Sequence, residues 1–110
     1  MAVQVANKVR FDDIGPKDSQ GFYEWAYRGY NYDIVVGSRA FKVRAYDEPP
    51  GVMTVVAPTD ARNFPETREL VAFLLSSLAA KDVQLYYGPE GVYRSVDPHT
   101  LEFRPASGAT

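Results

Sequence analysis

Two runs of alternating side chains meet at Val36-Gly37-Ser38-Arg39, and this junction constrains the fold more than any other feature of the chain. Glycine then serine between two strand patterns reads as a two-residue hairpin loop, with the glycine supplying a positive φ. So short a loop fixes register. Val36 then faces Arg39 and Ile34 faces Phe41, which puts Tyr32, Ile34, Val36, Phe41, Val43 and Ala45 on one side of the ribbon. Asp33, Val35, Lys42, Arg44 and Tyr46 take the other side. The first set is the predicted core face.

The flanking segments extend the same pattern. Residues 22–36 consist largely of β-formers, and alternation sets Tyr23, Trp25 and Tyr27 against Phe22, Glu24, Ala26 and Arg28. Gly29 interrupts the run, either as a bulge in one long strand or as a turn between two. Val3, Val5, Val9 and Phe11 occupy odd positions, as in a strand with one buried side. Asp12-Asp13 and residues 15–21 read as a loop, so residues 1–21 are expected to form a partly ordered arm. Downstream, Glu48-Pro49-Pro50-Gly51 is a rigid connection. Residues 52–57 follow as a strand that is apolar on both sides, which suits a central position.

One helix is predicted, over residues 64–81. Asn63 stands at its cap with Glu66 in capping-box spacing and Pro65 in the first turn. Leu70, Phe73, Leu74, Ser77 and Leu78 make a stripe that Val71 and Leu75 widen. Burial of each large apolar member contributes about 1.5–3 kcal/mol. A second hairpin follows: Val83, Leu85 and Tyr87 alternate, Gly88-Pro89-Glu90-Gly91 turns, and residues 92–96 return. Residues 101–104 read as a short edge strand and residues 105–110 as a disordered tail. The expected fold is α+β. A single domain spans residues 1–110, with an antiparallel sheet of five to six strands built from hairpins and the helix on one face.

At 110 residues, with 45% apolar and 24% charged, the chain can bury one sufficient core without a disulfide or metal. It has no cysteine, which excludes thiolate nucleophiles and cysteine-held metals. His99 is the single histidine, so no two-histidine metal site can form. Nucleophile-elbow, phosphate-loop and dinucleotide motifs do not occur. The acidic pairs Asp12-Asp13 and Asp47-Glu48 lack calcium-loop spacing. No catalytic residue, cofactor or metal ligand is assigned, and the reading leans away from an enzyme. The N-terminal residues lack signal-peptide order, and no run reaches the ~18 apolar residues of a membrane helix. The expectation is a cytoplasmic chain without a membrane partner.

What remains is aromatic. Six of the fifteen aromatic residues fall between Phe22 and Tyr32, with Arg28, Arg39, Lys42 and Arg44 close by. One helix covers only one face of a sheet. Val35, Tyr46, Met53 and Tyr86 are then expected on the uncovered face, together with part of the tyrosine and tryptophan row. A contiguous apolar patch of that kind marks an interface. The leading reading is a non-enzymatic interaction domain, of adaptor or inhibitor type, that receives a protein partner or a second copy through this face. Tyr23, Trp25, Tyr27, Arg28, Lys42, Arg44 and Tyr46 are the candidate binding residues. Three readings compete. One aromatic row packs under the helix and the other is simply a half-buried outer face. A tyrosine- and arginine-lined pocket between helix and sheet takes a small molecule. The rings stack the bases of single-stranded nucleic acid beside a basic strip, which a net charge of −2 disfavours.

Overall fold

The computed structural model describes residues 2–105; apart from Pro105, the predicted tail lies outside them. Six strands lie side by side in chain order: β1 (Val3–Ile14), β2 (Ala26–Val36), β3 (Arg39–Tyr46), β4 (Val52–Val56), β5 (Asp82–Tyr87) and β6 (Val92–Ser95). One helix, α1 (Thr67–Ser76), packs on one face of the sheet. The fold is therefore α+β, as the hairpin pattern and the apolar stripe require. One pair departs from the antiparallel expectation: β4 and β5 run parallel. The reason is α1, which carries the chain back so that β5 starts at the same end as β4.

The central hairpin has the register its loop dictates, with Val36 opposite Arg39, Ile34 opposite Phe41 and Tyr32 opposite Val43. Gly37 takes φ +61. The core face buries Tyr32, Ile34, Val36, Phe41, Val43, Val55, Val83 and Leu85 against Leu70, Val71 and Leu74 of α1. Met53 also lies on this side, opposite Ala45, and is buried rather than on the uncovered face.

The helix is shorter than the stripe implies. Pro65 disfavours helical geometry at Phe64, which is extended at φ −91 and ψ 127. Asn63 consequently ends a 3₁₀ turn, Ala61–Asn63, instead of capping α1. Asp60 caps that turn by accepting the Arg62 amide at 2.9 Å. At the other end Ala79 takes φ +54, and the Ala80 amide returns to the Leu74 carbonyl at 2.9 Å, which closes the helix. Ser77 is therefore exposed, and Phe73 and Leu78 pack at the rim of the core. The predicted edge strand over residues 101–104 is a single bridge, Val96 with Phe103.

The largest departure is at the N-terminal end. Residues 3–14 form β1, paired along β2 in one register from Asn7 opposite Asp33 to Ile14 opposite Ala26. That register continues past the strand ends. The Gly15 amide donates to the Trp25 carbonyl at 2.9 Å, Lys17 bridges Tyr23, and the Asp18 amide donates to the Phe22 carbonyl at 2.7 Å. The stretch read as a loop is thus the end of a long hairpin. It closes through Ser19-Gln20-Gly21: the Gly21 amide donates to the Asp18 carbonyl at 3.1 Å and Gly21 takes φ +86. A type I turn followed by a left-handed glycine is a standard three-residue hairpin loop.

A register shift between Val5 and Asn7 leaves Ala6 as an extra residue and reverses which side later residues take. Val3 and Val5 keep to the core side, but Val9 and Phe11 cross to the uncovered side. Lys8 and Arg10 cover Tyr30 instead, at 4.4 Å and 5.2 Å from its ring centre. Gly29 is neither bulge nor turn, since its ladder is continuous to Phe11 and Tyr46. A Cβ there would sit 2.0 Å from the Ala45 carbonyl oxygen, so the close approach of β3 is what requires glycine.

Candidate functional site

The β1–β2 hairpin outruns its neighbour. β3 ends with Tyr46 opposite Gly29, and beyond that point the hairpin pairs with itself, apart from one bond of 2.7 Å from the Asp47 amide to the Arg28 carbonyl. Its register sets Tyr23, Trp25 and Tyr27 in one row, opposite Lys17, Gly15 and Asp13. The row shares the uncovered side of the sheet with Phe11, Lys42, Arg44 and Tyr46. Arg28 does not join it. It lies on the reverse side, where its guanidinium is 3.4 Å from Asp12.

The row is held by its own backbone. Trp25 lies against Gly15 so closely that a Cβ added to that glycine would be 2.4–2.6 Å from ring atoms. Its indole N–H points at Asp13, 3.4 Å away. The Lys17 ammonium stands 5.4 Å from the centre of the Tyr23 ring. Tyr27 and Phe11 both meet Tyr46 edge-on, at 6.1 Å and 5.8 Å between ring centres. Arg44 forms the floor between them. Its Nε donates to Asn31 Oδ1 at 3.0 Å and its guanidinium carbon lies 5.0 Å from the Phe11 ring centre. Phe11, Asp13, Tyr27, Asn31, Arg44 and Tyr46 together line a hollow of about 410 Å³. Sequence reasoning missed Phe11, Asp13 and Asn31. The signal that would have found them is Gly21 in the left-handed turn position, because pairing outward from that turn puts Phe11 opposite Gly29.

At the root of the hairpin, Arg10 donates to both carboxylate oxygens of Asp47, at 2.9 Å and 2.8 Å. Those hydrogen bonds are the main reason the Asp47 carboxyl is held below its ordinary range.

Exposure is concentrated at that end. Tyr23, Trp25 and Tyr27 are 48%, 42% and 54% exposed, and Phe22 on the reverse side is 67% exposed. The rest of the uncovered face is mixed. Lys42 pairs with Asp33 at 3.2 Å, the Thr54 hydroxyl donates to Gln84 at 3.2 Å, and Val35 is half-buried. Tyr86 packs edge-on with Tyr93 at 5.6 Å. The apolar surface is densest on the hairpin and continues onto the sheet at Val9 and Val56, which are 50% and 39% exposed. The predicted basic strip is partly neutralised: Arg28 pairs with Asp12 and Lys42 with Asp33, whereas Arg44 keeps its charge and hydrogen-bonds the neutral Asn31 amide.

Between helix and sheet, the space lined by Val71, Leu75, Val83 and Val96 is about 30 Å³, room for roughly a single water. It is no small-molecule pocket. A larger hollow of about 460 Å³ lies by β6. Arg94 there stacks on Tyr87, stands 3.6 Å from Glu90 and donates to the Arg104 carbonyl. Among the described residues, no three His, Asp or Glu side chains gather where they could hold a metal, and no helix is long and apolar enough to cross a membrane. The chain matches no protein-family model, no curated protein and no solved structure.

Proposed function

We propose that this chain is a non-enzymatic protein-binding module that docks through the free end of the β1–β2 hairpin. Tyr23, Trp25 and Tyr27 form the contact ridge, and the hollow between Phe11, Tyr27 and Tyr46 is the socket beside it. One observation carries this reading: three aromatic side chains at alternate positions stand half exposed on a hairpin that extends beyond the end of β3. A patch of this kind is uncommon on a surface that meets only water. Tyrosine and tryptophan are enriched among the few residues that dominate binding energy at protein interfaces, and they contribute it at low cost in conformational entropy. The Gly15 seat and the Asp18 turn lower that cost further by fixing the ridge before contact. The hollow offers ring faces, two tyrosine hydroxyls, the Asn31 amide, the engaged Arg44 guanidinium and the Asp13 carboxylate, which accepts the Trp25 indole N–H. It contains no serine, threonine or histidine to set beside a base.

A pull-down compares the wild type with the Trp25→Ala, Tyr27→Ala double variant, after both are shown to melt cooperatively. The reading expects a discrete protein retained by the wild type and lost by the variant. Identical retained sets would refute it.

A further inference from the structure

We infer that the hairpin end is inserted into a basic, apolar-walled cleft of a partner protein and is gripped on both sides, not laid flat as a one-sided platform. The inference rests on the docking reading above and adds the partner's shape and charge.

The hairpin end carries exposed apolar side chains on both sides, and no other described residue covers them. Tyr23, Trp25 and Tyr27 lie on the uncovered side; Ile14 and Phe22 lie on the reverse side by register. Phe22, at 67%, is the most exposed large apolar residue among those described. A flat partner on the aromatic side would leave Phe22 in water.

The tip is also rigid. Asp18 makes four bonds across the turn. Its backbone pairs with Phe22 and Gly21, and its carboxylate accepts the amides of Gln20 at 2.9 Å and Phe22 at 3.0 Å. Phe22 is thus held outward on a fixed turn, the arrangement that favours an anchor entering a pocket.

Charge is unevenly distributed along the molecule. Residues 10–28 and 46–48 hold three cations and six carboxylates, while the rest of the chain holds nine cations and eight carboxylates. The negative excess of the molecule therefore sits at this end. Two of the three cations are already used, Arg10 by Asp47 and Arg28 by Asp12. Among the described residues Asp13, Asp18, Glu24 and Glu48 make no ion pair. Two copies meeting end to end would bring like charges together, and a nucleic acid or anionic lipid surface would be repelled. A basic protein cleft is attracted, and its apolar walls can cover the tyrosine and tryptophan row on one side and Phe22 and Ile14 on the other.

The test places a photo-crosslinking phenylalanine analogue at Tyr27 or at Phe22 of the full chain, irradiates each in a lysate of the source cells, and reads adduct mass and isoelectric point. The expected result is one adduct of the same mass from both positions, more alkaline than the free chain, with a yield that falls about tenfold or more on Glu24→Lys or on raising salt. An adduct from Tyr27 alone overturns the two-sided grip and leaves the docking reading standing. A shared adduct that is acidic, or indifferent to Glu24→Lys and salt, overturns the basic cleft. No adduct from either position overturns the docking reading as well.

Discussion

Gly15→Ala isolates the contact that holds the aromatic ridge in place. The substitution adds one methyl group and removes no ring, but that methyl would lie 2.4–2.6 Å from Trp25 ring atoms, so the indole must leave its seat. Trp25 is 42% exposed, so a little over half its surface is covered. A tryptophan of about 200–250 Å² then has roughly 120–145 Å² at stake, or ~3 kcal/mol at about 25 cal/mol/Å² if the ring were wholly released. The displaced ring will re-cover part of that area against Asp13 and Tyr27. The expected cost is therefore about 1–2 kcal/mol, a drop of roughly 4–12 °C in melting temperature for a domain of this size. Trp25 is the single tryptophan, so its emission reports the ridge without interference. The assay is a thermal melt paired with emission spectra of the folded states. A red-shifted emission with a lowered melt is expected. An unchanged spectrum and an unchanged melt would refute the seat, and with it the claim that the ridge is fixed before contact.

Leu74→Asp puts a carboxylate at a fully buried point of the helix stripe and should abolish the cooperative melt, whereas Leu74→Ala should cost about 2–5 kcal/mol in urea unfolding. Ala79→Gly should raise stability by about 0.5–1 kcal/mol in the same assay, because the residue sits at φ +54 and glycine adopts that geometry without Cβ strain. The Asp97 carboxyl is held below its usual range, chiefly by the amide of His99 and then by that of Thr100. A carboxyl lowered in the folded state contributes stability that is full above its unfolded value of about 4 and lost as pH falls through the folded value. Asp97→Asn should therefore flatten part of the acid limb in a plot of urea midpoint against pH, and parallel limbs for variant and wild type would contradict this.

The parts of the fold legible in the sequence are those in which neighbours in sequence are neighbours in space. The Gly37-Ser38 loop leaves one register for β2 and β3, and the observed pairs follow it. The stripe of Leu70, Val71 and Leu74 identifies the buried side of α1 before its partner strands are known. Direction and adjacency were harder to read. Alternation reports which side a residue faces but not which strand lies beside it, so the parallel β4–β5 pair was invisible. A single inserted residue at Ala6 moved Phe11 from the expected core side into the site. Pro16, Asp18 and Gly21 read as loop residues because each is a turn former, yet only the last four positions of that stretch actually turn. The aromatic row was legible because three alternating rings share a side in any extended conformation. Arg28 was misplaced among them because it was grouped by proximity in sequence rather than by side.

The docking claim is tested most directly by titrating the partner recovered by the wild-type chain against the wild type and against Trp25→Ala, Tyr27→Ala. Truncating two interface anchors should weaken binding by at least about tenfold while the double variant still unfolds in a single cooperative transition. Equal affinity for the two proteins would contradict the account.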